Sequence, residues 1–211
     1  MSPRKKKITS QDSEDTRNRI LRAGEQIFAE KGYSGARVAE IADKAGLDKR
    51  LIFYYFGTKQ GLYAAVLEDF FQNVEPLVNE LLRKRKDASL EIDMAGLMEN
   101  MIDFIQVNRL PVRILFREFL DGGILLDEII SRRILPIFQG WRTFYPRMFP
   151  GLKRRFPREA DHVLLTFSGV GLIYFLVEPL MQKIWKSDPL HPDHLSERKK
   201  ILRKRIKDLI K

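Results

Sequence analysis

Apolar residues recur every three to four positions along most of this chain, and strand-like alternation is nearly absent, so the pattern predicts an all-α protein. A first helix is expected over residues 14–30, with Ile20, Ala23, Ile27 and Phe28 on one face and charges on the other. Ser13 or Asp12 is its candidate cap, and Lys31-Gly32 its candidate stop. A short second helix follows over about 37–44, with Val38, Ile41 and Ala42 inward, and Gly46 ends it. A third begins after Asp48, a plausible N-cap, and closes near Phe56-Gly57. A fourth runs from near Thr58 to about residue 86.

Longer helices are expected beyond it, over about 90–108, 111–121, 124–148, 157–186 and 192–210. Proline and glycine punctuate them, and Pro76, Pro136 and Pro179, inside helical patterns, each predict a kink or local break. The organisation is therefore a basic, disordered tail (1–13), a three-helix head (14–60) and a larger helical body (61–211).

The window around Gly46 has the requirements of a helix-turn-helix. Two closely crossing helices need a small residue where they meet, which Ala42 provides. The tight turn needs a left-handed residue, and Gly46 lies four positions later. Leu47 anchors the turn, while Ile41, Ala45 and Ile52 supply the inner face. The same pattern would also suit an ordinary helical hairpin. The outer face of the third helix favours the helix-turn-helix: Lys49, Arg50, Tyr54 and Tyr55, with Lys59 just beyond, are donors to phosphates and base edges. Tyr54 and Tyr55 could instead be half-buried against the first helix.

Charge agrees. Lys and Arg total 38 against 28 Asp and Glu, a net charge of +10, which attracts polyanions. The Arg4-Lys5-Lys6-Lys7 tail could reach DNA or be merely solvated. The chain has no cysteine, excluding disulfides and thiolate chemistry, and the expected location is the cytoplasm. No apolar stretch follows the basic N-terminus, so no signal peptide is expected. The run Val170–Val177 is far short of the roughly 20 residues of a membrane span and reads as a buried helix, so no membrane insertion is expected. No acidic pair, nucleophile motif or phosphate-binding glycine loop occurs, so neither catalysis, a metal site nor a cofactor is expected. A helical adaptor or membrane-surface protein with basic termini is the alternative class.

The stretch Gly32-Tyr33, then Val38-Ala39-Glu40-Ile41-Ala42-Asp43-Lys44-Ala45-Gly46-Leu47-Asp48-Lys49, then Ile52-Phe53-Tyr54-Tyr55-Phe56-Gly57-Thr58-Lys59-Gln60-Gly61-Leu62 resembles the DNA-binding domain of TetR-family repressors, over about residues 14–65. The resemblance implies a homodimer on a palindromic double-stranded DNA operator, with a pocket for a small hydrophobic ligand in the C-terminal body whose filling releases the DNA. The implied DNA-contacting positions are Arg37, Val38, Ala39, Lys49, Arg50, Leu51, Phe53, Tyr54, Tyr55 and Lys59. Arg37, Arg50, Leu51 and Phe53 depart from the residues usual in the family; Arg37 replaces a capping residue, Phe53 loses a phosphate-binding hydroxyl, and the changes at Arg50 and Leu51, on the base-reading face, predict an operator of different sequence.

In the body, Met98, Met101, Phe104, Phe116, Trp141, Tyr145 and Tyr174 are candidate pocket-lining residues, favouring an apolar or aromatic inducer. Arg113 and Arg117 could meet an anionic group or pair on the surface with Glu118 or Asp121. Ser168, Gly169, Leu172, Phe175 and Leu176 mix small and bulky side chains as a dimer-forming helix would.

Overall fold

The computed structural model describes residues 10–83, 94–148 and 158–210, and every element among them is helical. They fall into two compact units: 1–74 with 110–125, and 75–109 with 126–211.

The first unit is built on α1 (Ser10–Gly35), α2 (Val38–Ala45), α3 (Lys49–Phe56), the first part of α4 (Lys59–Arg83), and α6 (Arg109–Asp121) from Leu110 onward. The head of residues 14–60 read from sequence is thus accompanied in this unit by the start of α4 and by α6. Its buried side chains include Ile20, Phe28, Ile41, Ile52, Leu62 and Tyr63. Phe28 meets Tyr63 edge-on at 4.8 Å, and Tyr33 lies 5.1 Å from Tyr63. Such aromatic pairs add about 0.5–1.5 kcal/mol beyond their burial.

The start of α1 differs from expectation. The helix opens at Ser10, placing Asp12 and Ser13 inside it rather than at its cap. The Ser13 hydroxyl lies 3.1 Å from the Tyr55 hydroxyl of α3, which fastens the extra turn. Only residues 1–9 of the expected disordered tail lie outside the described residues. The stop at Gly32 takes the form of a bend: Gly32 has φ 69° and ψ 176°, and one short turn follows it.

The second unit holds α5 (Met94–Val107), α7 (Leu126–Ile129), α8 (Leu135–Met148), α9 (Glu159–Leu176), α10 (Glu178–Trp185) and α11 (Pro192–Ile210). Ion pairs fasten α11 to α5: Arg203 chelates Glu99 at 2.7 Å through Nε and Nη2, and Lys199 meets Asp103. Arg142 of α8 pairs with Asp161 of α9.

The three prolines expected to kink or break helices behave differently. Pro136, lacking an N–H and crowding the carbonyl four residues back, follows a wide π turn at Ile130–Ile134, where Leu135 N–H reaches Ile130 O. Pro179 occupies the first turn of α10, where a missing N–H costs nothing, so 157–186 is two helices rather than one. α4 instead continues through Pro76. Pro76 and Gln72 are both exposed, so water can satisfy the carbonyl that the proline leaves free.

α9 corrects the reading of a buried helix. By length and composition it could cross a bilayer, yet only 18% of it is buried. Tyr174 and Phe175 face the unit's interior, whereas Leu165, Ile173 and Leu176 are about half exposed.

Candidate nucleic-acid interface

The site is assembled by the turn between α2 and α3. Gly46 sits at φ 65°, ψ 39°, a left-handed conformation that costs other residues roughly 1–2 kcal/mol. From there the Gly46 N–H reaches Asp43 O and the Leu47 N–H reaches Ala42 O, both at 3.0 Å, closing the end of α2. Ala42, Ala45, Ile41 and Ile52 are buried together, as the crossing of two short helices requires. A further brace comes from α1: Arg19 Nη2 donates to Ala45 O at 2.7 Å. Arg19 was not legible as part of the site, because it lies on the charged outer face of α1 and only the tertiary fold brings the turn to it.

The start of α2 carries Arg37 as N-cap, a donor-only side chain that cannot accept from the helix. Glu40 supplies part of the missing capping. Its carboxylate accepts the Arg37 N–H at 3.4 Å and pairs with Lys31 at 2.8 Å, and that lysine is what chiefly lowers its pKa. At α3, Asp48 is the N-cap expected from sequence and accepts the Arg50 N–H at 2.8 Å. It also holds the Arg50 guanidinium, Nε at 3.1 Å and Nη2 at 2.8 Å. Those bonds keep the Asp48 carboxyl at about 2, well below the usual range. Thr58 caps α4 by accepting the Gly61 N–H at 2.9 Å.

Among the α3 side chains only Ile52 is fully buried. Lys49, Arg50, Phe53 and Tyr54 project outward, Tyr54 with 79% of its surface exposed. Leu51 is half-buried. The two tyrosines divide: Tyr54 is a surface residue, whereas Tyr55 is half-buried with its hydroxyl turned to Ser13. Lys59 is also half-buried, with its ammonium 4.5 Å from the centre of the Tyr33 ring, and burial holds its pKa below the ordinary value. On α2, Ala39 is exposed and Val38 half-buried, beside exposed Arg37. The face thus combines cationic donors, a phenol and the apolar ring of Phe53, which suits a thymine methyl.

The body candidates are not brought to one place. Met98 and Met101 approach Gly171 of α9, three residues before Tyr174. Tyr174 is buried under the Arg198 guanidinium, 3.9 Å from its ring centre. Trp141 instead donates to Ala160 O at the other end of α9, with Tyr145 5.9 Å away. At about 1.5 Å per residue, Ala160 and Tyr174 are about 21 Å apart, too far for one small ligand. Phe104 is half-buried on α5, and Phe116 belongs to the first unit.

A cavity of about 220 Å³ in the first unit contains none of these residues. It is lined by Tyr33, Tyr63, Arg117, Glu118 and Gly122 among others. Arg117 donates to Glu30 O at 3.3 Å, and Glu118 is 2% exposed, accepting from Leu125 N–H at 3.1 Å. Glu118 is therefore an internal residue and not one of the surface.

Of the dimer candidates, Gly169 and Leu176 are exposed, Ser168 and Leu172 are half-buried, and Phe175 is packed within its own unit.

This geometry, a tight left-handed turn presenting a short helix with a cationic and aromatic outer face, defines a helix-turn-helix. The chain matches, over residues 20–66, the family model described as bacterial regulatory proteins, tetR family. It is 32% identical over 95 residues to the HTH-type transcriptional repressor NicS of Pseudomonas putida, covering 45% of this chain and 41% of NicS. It is 32% identical over 103 residues to the HTH-type transcriptional activator FasR of Mycolicibacterium smegmatis, covering 49% of this chain and 46% of FasR. The chain thus spans under half the length of these two relatives. In fold it is similar to the transcriptional regulator SCO4942 of Streptomyces coelicolor, with a TM-score of 0.65 at 19% identity over 92% of this chain and 97% of that one. A regulator of the TerR/AcrR family from Aquifex aeolicus gives 0.58 at 21% identity, covering 92% and 99%.

Proposed function

We propose that this protein is a transcriptional repressor that binds a palindromic operator as a homodimer and leaves it when a small apolar or aromatic ligand occupies the body. The observation that carries the proposal is the outer face of α3. Lys49, Arg50, Phe53 and Tyr54 are exposed on a helix whose inward anchor, Ile52, is fully buried. An α-helix fits the major groove, and these side chains are the types that donate to guanine, touch thymine methyls and bind phosphate. Arg37, Ala39, Tyr55 and Lys59 flank it as backbone contacts.

A second copy of the chain is the occupant proposed for the exposed stripe of α9 and α10. Leu165, Gly169, Ile173 and Leu176 recur at helical spacing and lead into Leu180 and Ile184, all exposed. A contiguous exposed apolar face of this kind marks an interaction surface. For the ligand, the supporting region is the one around Met98, Met101 and Tyr174, where flexible thioethers adapt to an apolar guest. Repression is one of two outcomes seen among the relatives, one being a repressor and the other an activator. A reporter gene behind the operator reads the sign directly.

The site is tested by two substitutions. Lys59→Ala weakens binding to all duplexes alike, and Arg50→Ala changes which bases are preferred. Retention of full operator affinity and unchanged preference in both variants would overturn the placement of α3.

A further inference from the structure

The Arg50 guanidinium is held along one edge only. Its Nε and Nη2 donate to the two carboxylate oxygens of Asp48, while Asp48 Oδ1 also accepts the Arg50 backbone N–H. A guanidinium has five N–H donors, and this fork uses two of them. The three left include the parallel pair at the tip, one hydrogen on each terminal nitrogen, which is the arrangement that meets guanine O6 and N7 together. The Arg50 side chain is 86% exposed and that of Asp48 48%, so a partner can reach the tip without breaking the fork.

An exposed pair of this kind adds little to folding stability. Its effect is on the direction of a long, otherwise mobile side chain. The residue doing the holding is also the helix cap, fixed by the backbone of α3 itself. An acidic group on a face that approaches phosphates weakens indiscriminate binding, and it is offset only where Arg50 finds its base.

We propose that Asp48 is a specificity-positioning residue, which presents the tip of Arg50 to a guanine and disfavours sites that lack it. This deepens the DNA-reading function proposed above and rests on it. Pre-ordering one rotamer-rich side chain is worth about two- to tenfold in affinity for the base it meets.

The test uses the full chain and the duplex it selects from random sequence. Arg50→Ala first locates the base pair that Arg50 reads, where discrimination is expected to fall by about five- to 150-fold. Asp48→Asn and Asp48→Ser both keep an oxygen that caps α3, since Asn and Ser cap as well as Asp, but neither can hold the fork. Circular dichroism and the thermal midpoint confirm that the variants fold. Both are expected to lower discrimination at that one base pair by about two- to tenfold, and to bind unrelated duplexes no more weakly than the parent. Equal loss at every position would mean that Asp48 is a cap only, and undiminished discrimination would mean that the fork has no role; either result overturns the proposal. If the unaltered chain selects no sequence at all, the DNA-reading function fails and the proposal falls with it. If selection succeeds and Arg50→Ala flattens one position while the Asp48 variants do not, only the role of Asp48 is lost.

Discussion

Single residues in the first unit carry consequences of different physical origin. Gly46 must adopt a left-handed conformation, so Gly46→Ala is expected to cost about 1–2 kcal/mol in a denaturant or thermal unfolding measurement. Gly61 lies where an added Cβ would sit 2.1 Å from Phe56 O, a backbone atom that cannot swing away. Gly61→Ala is therefore expected to destabilise by about 1–3 kcal/mol and to disturb the junction of α3 and α4. Tyr63 is buried, and its phenol is raised above its ordinary value of 10.0, first by burial and then by the hydrogen bond to Glu118. A group whose folded pKa lies above its unfolded one stabilises fully below the unfolded value and loses that contribution as pH rises. The thermal midpoint should then fall above about pH 10, with part of that fall absent in Tyr63→Phe.

At the scale of elements, α2, α3 and their turn were legible because each boundary has a local cause. Asp48 caps, Gly46 turns left-handed, and the alternation of buried Ile41, Ala42, Ala45 and Ile52 with exposed charges sets the phase. The early start of α1 was not legible, since it depends on a hydroxyl contact between Ser13 and Tyr55, 42 positions apart. Nor did the pattern separate Tyr54 from Tyr55, adjacent aromatics whose fates differ only through what α1 places beside them. α9 shows the other limit. It is apolar on nearly every side, so its sequence has no phase, and small residues alone pointed to Ser168, Gly169, Leu172, Phe175 and Leu176. Three-dimensional packing turns Phe175 inward and leaves Leu165 and Ile173 outside. The body candidates failed to converge for a related reason: aromatic content predicts a core but not which end of a 27 Å helix each ring packs on (18 residues at about 1.5 Å each).

For the whole molecule, the proposed assembly depends on the α9–α10 stripe. Leu165→Glu with Ile173→Glu is expected to yield a folded monomer by sedimentation equilibrium and to weaken operator binding strongly, because one head alone reads only half a palindrome. A variant that remained dimeric would move the interface elsewhere. The net charge of +10 bears on affinity for any duplex, and the face of α3 on choice among duplexes. The two are separated by one measurement: selection of duplexes from random sequence by the full chain, followed by binding of the enriched duplex and of a scrambled one across salt concentrations. The account predicts enrichment of a single palindrome and a steep loss of affinity with salt for both duplexes. It also predicts a preference for the enriched duplex of at least about 1,000-fold at physiological salt. Salt-sensitive binding with no enriched sequence would contradict it.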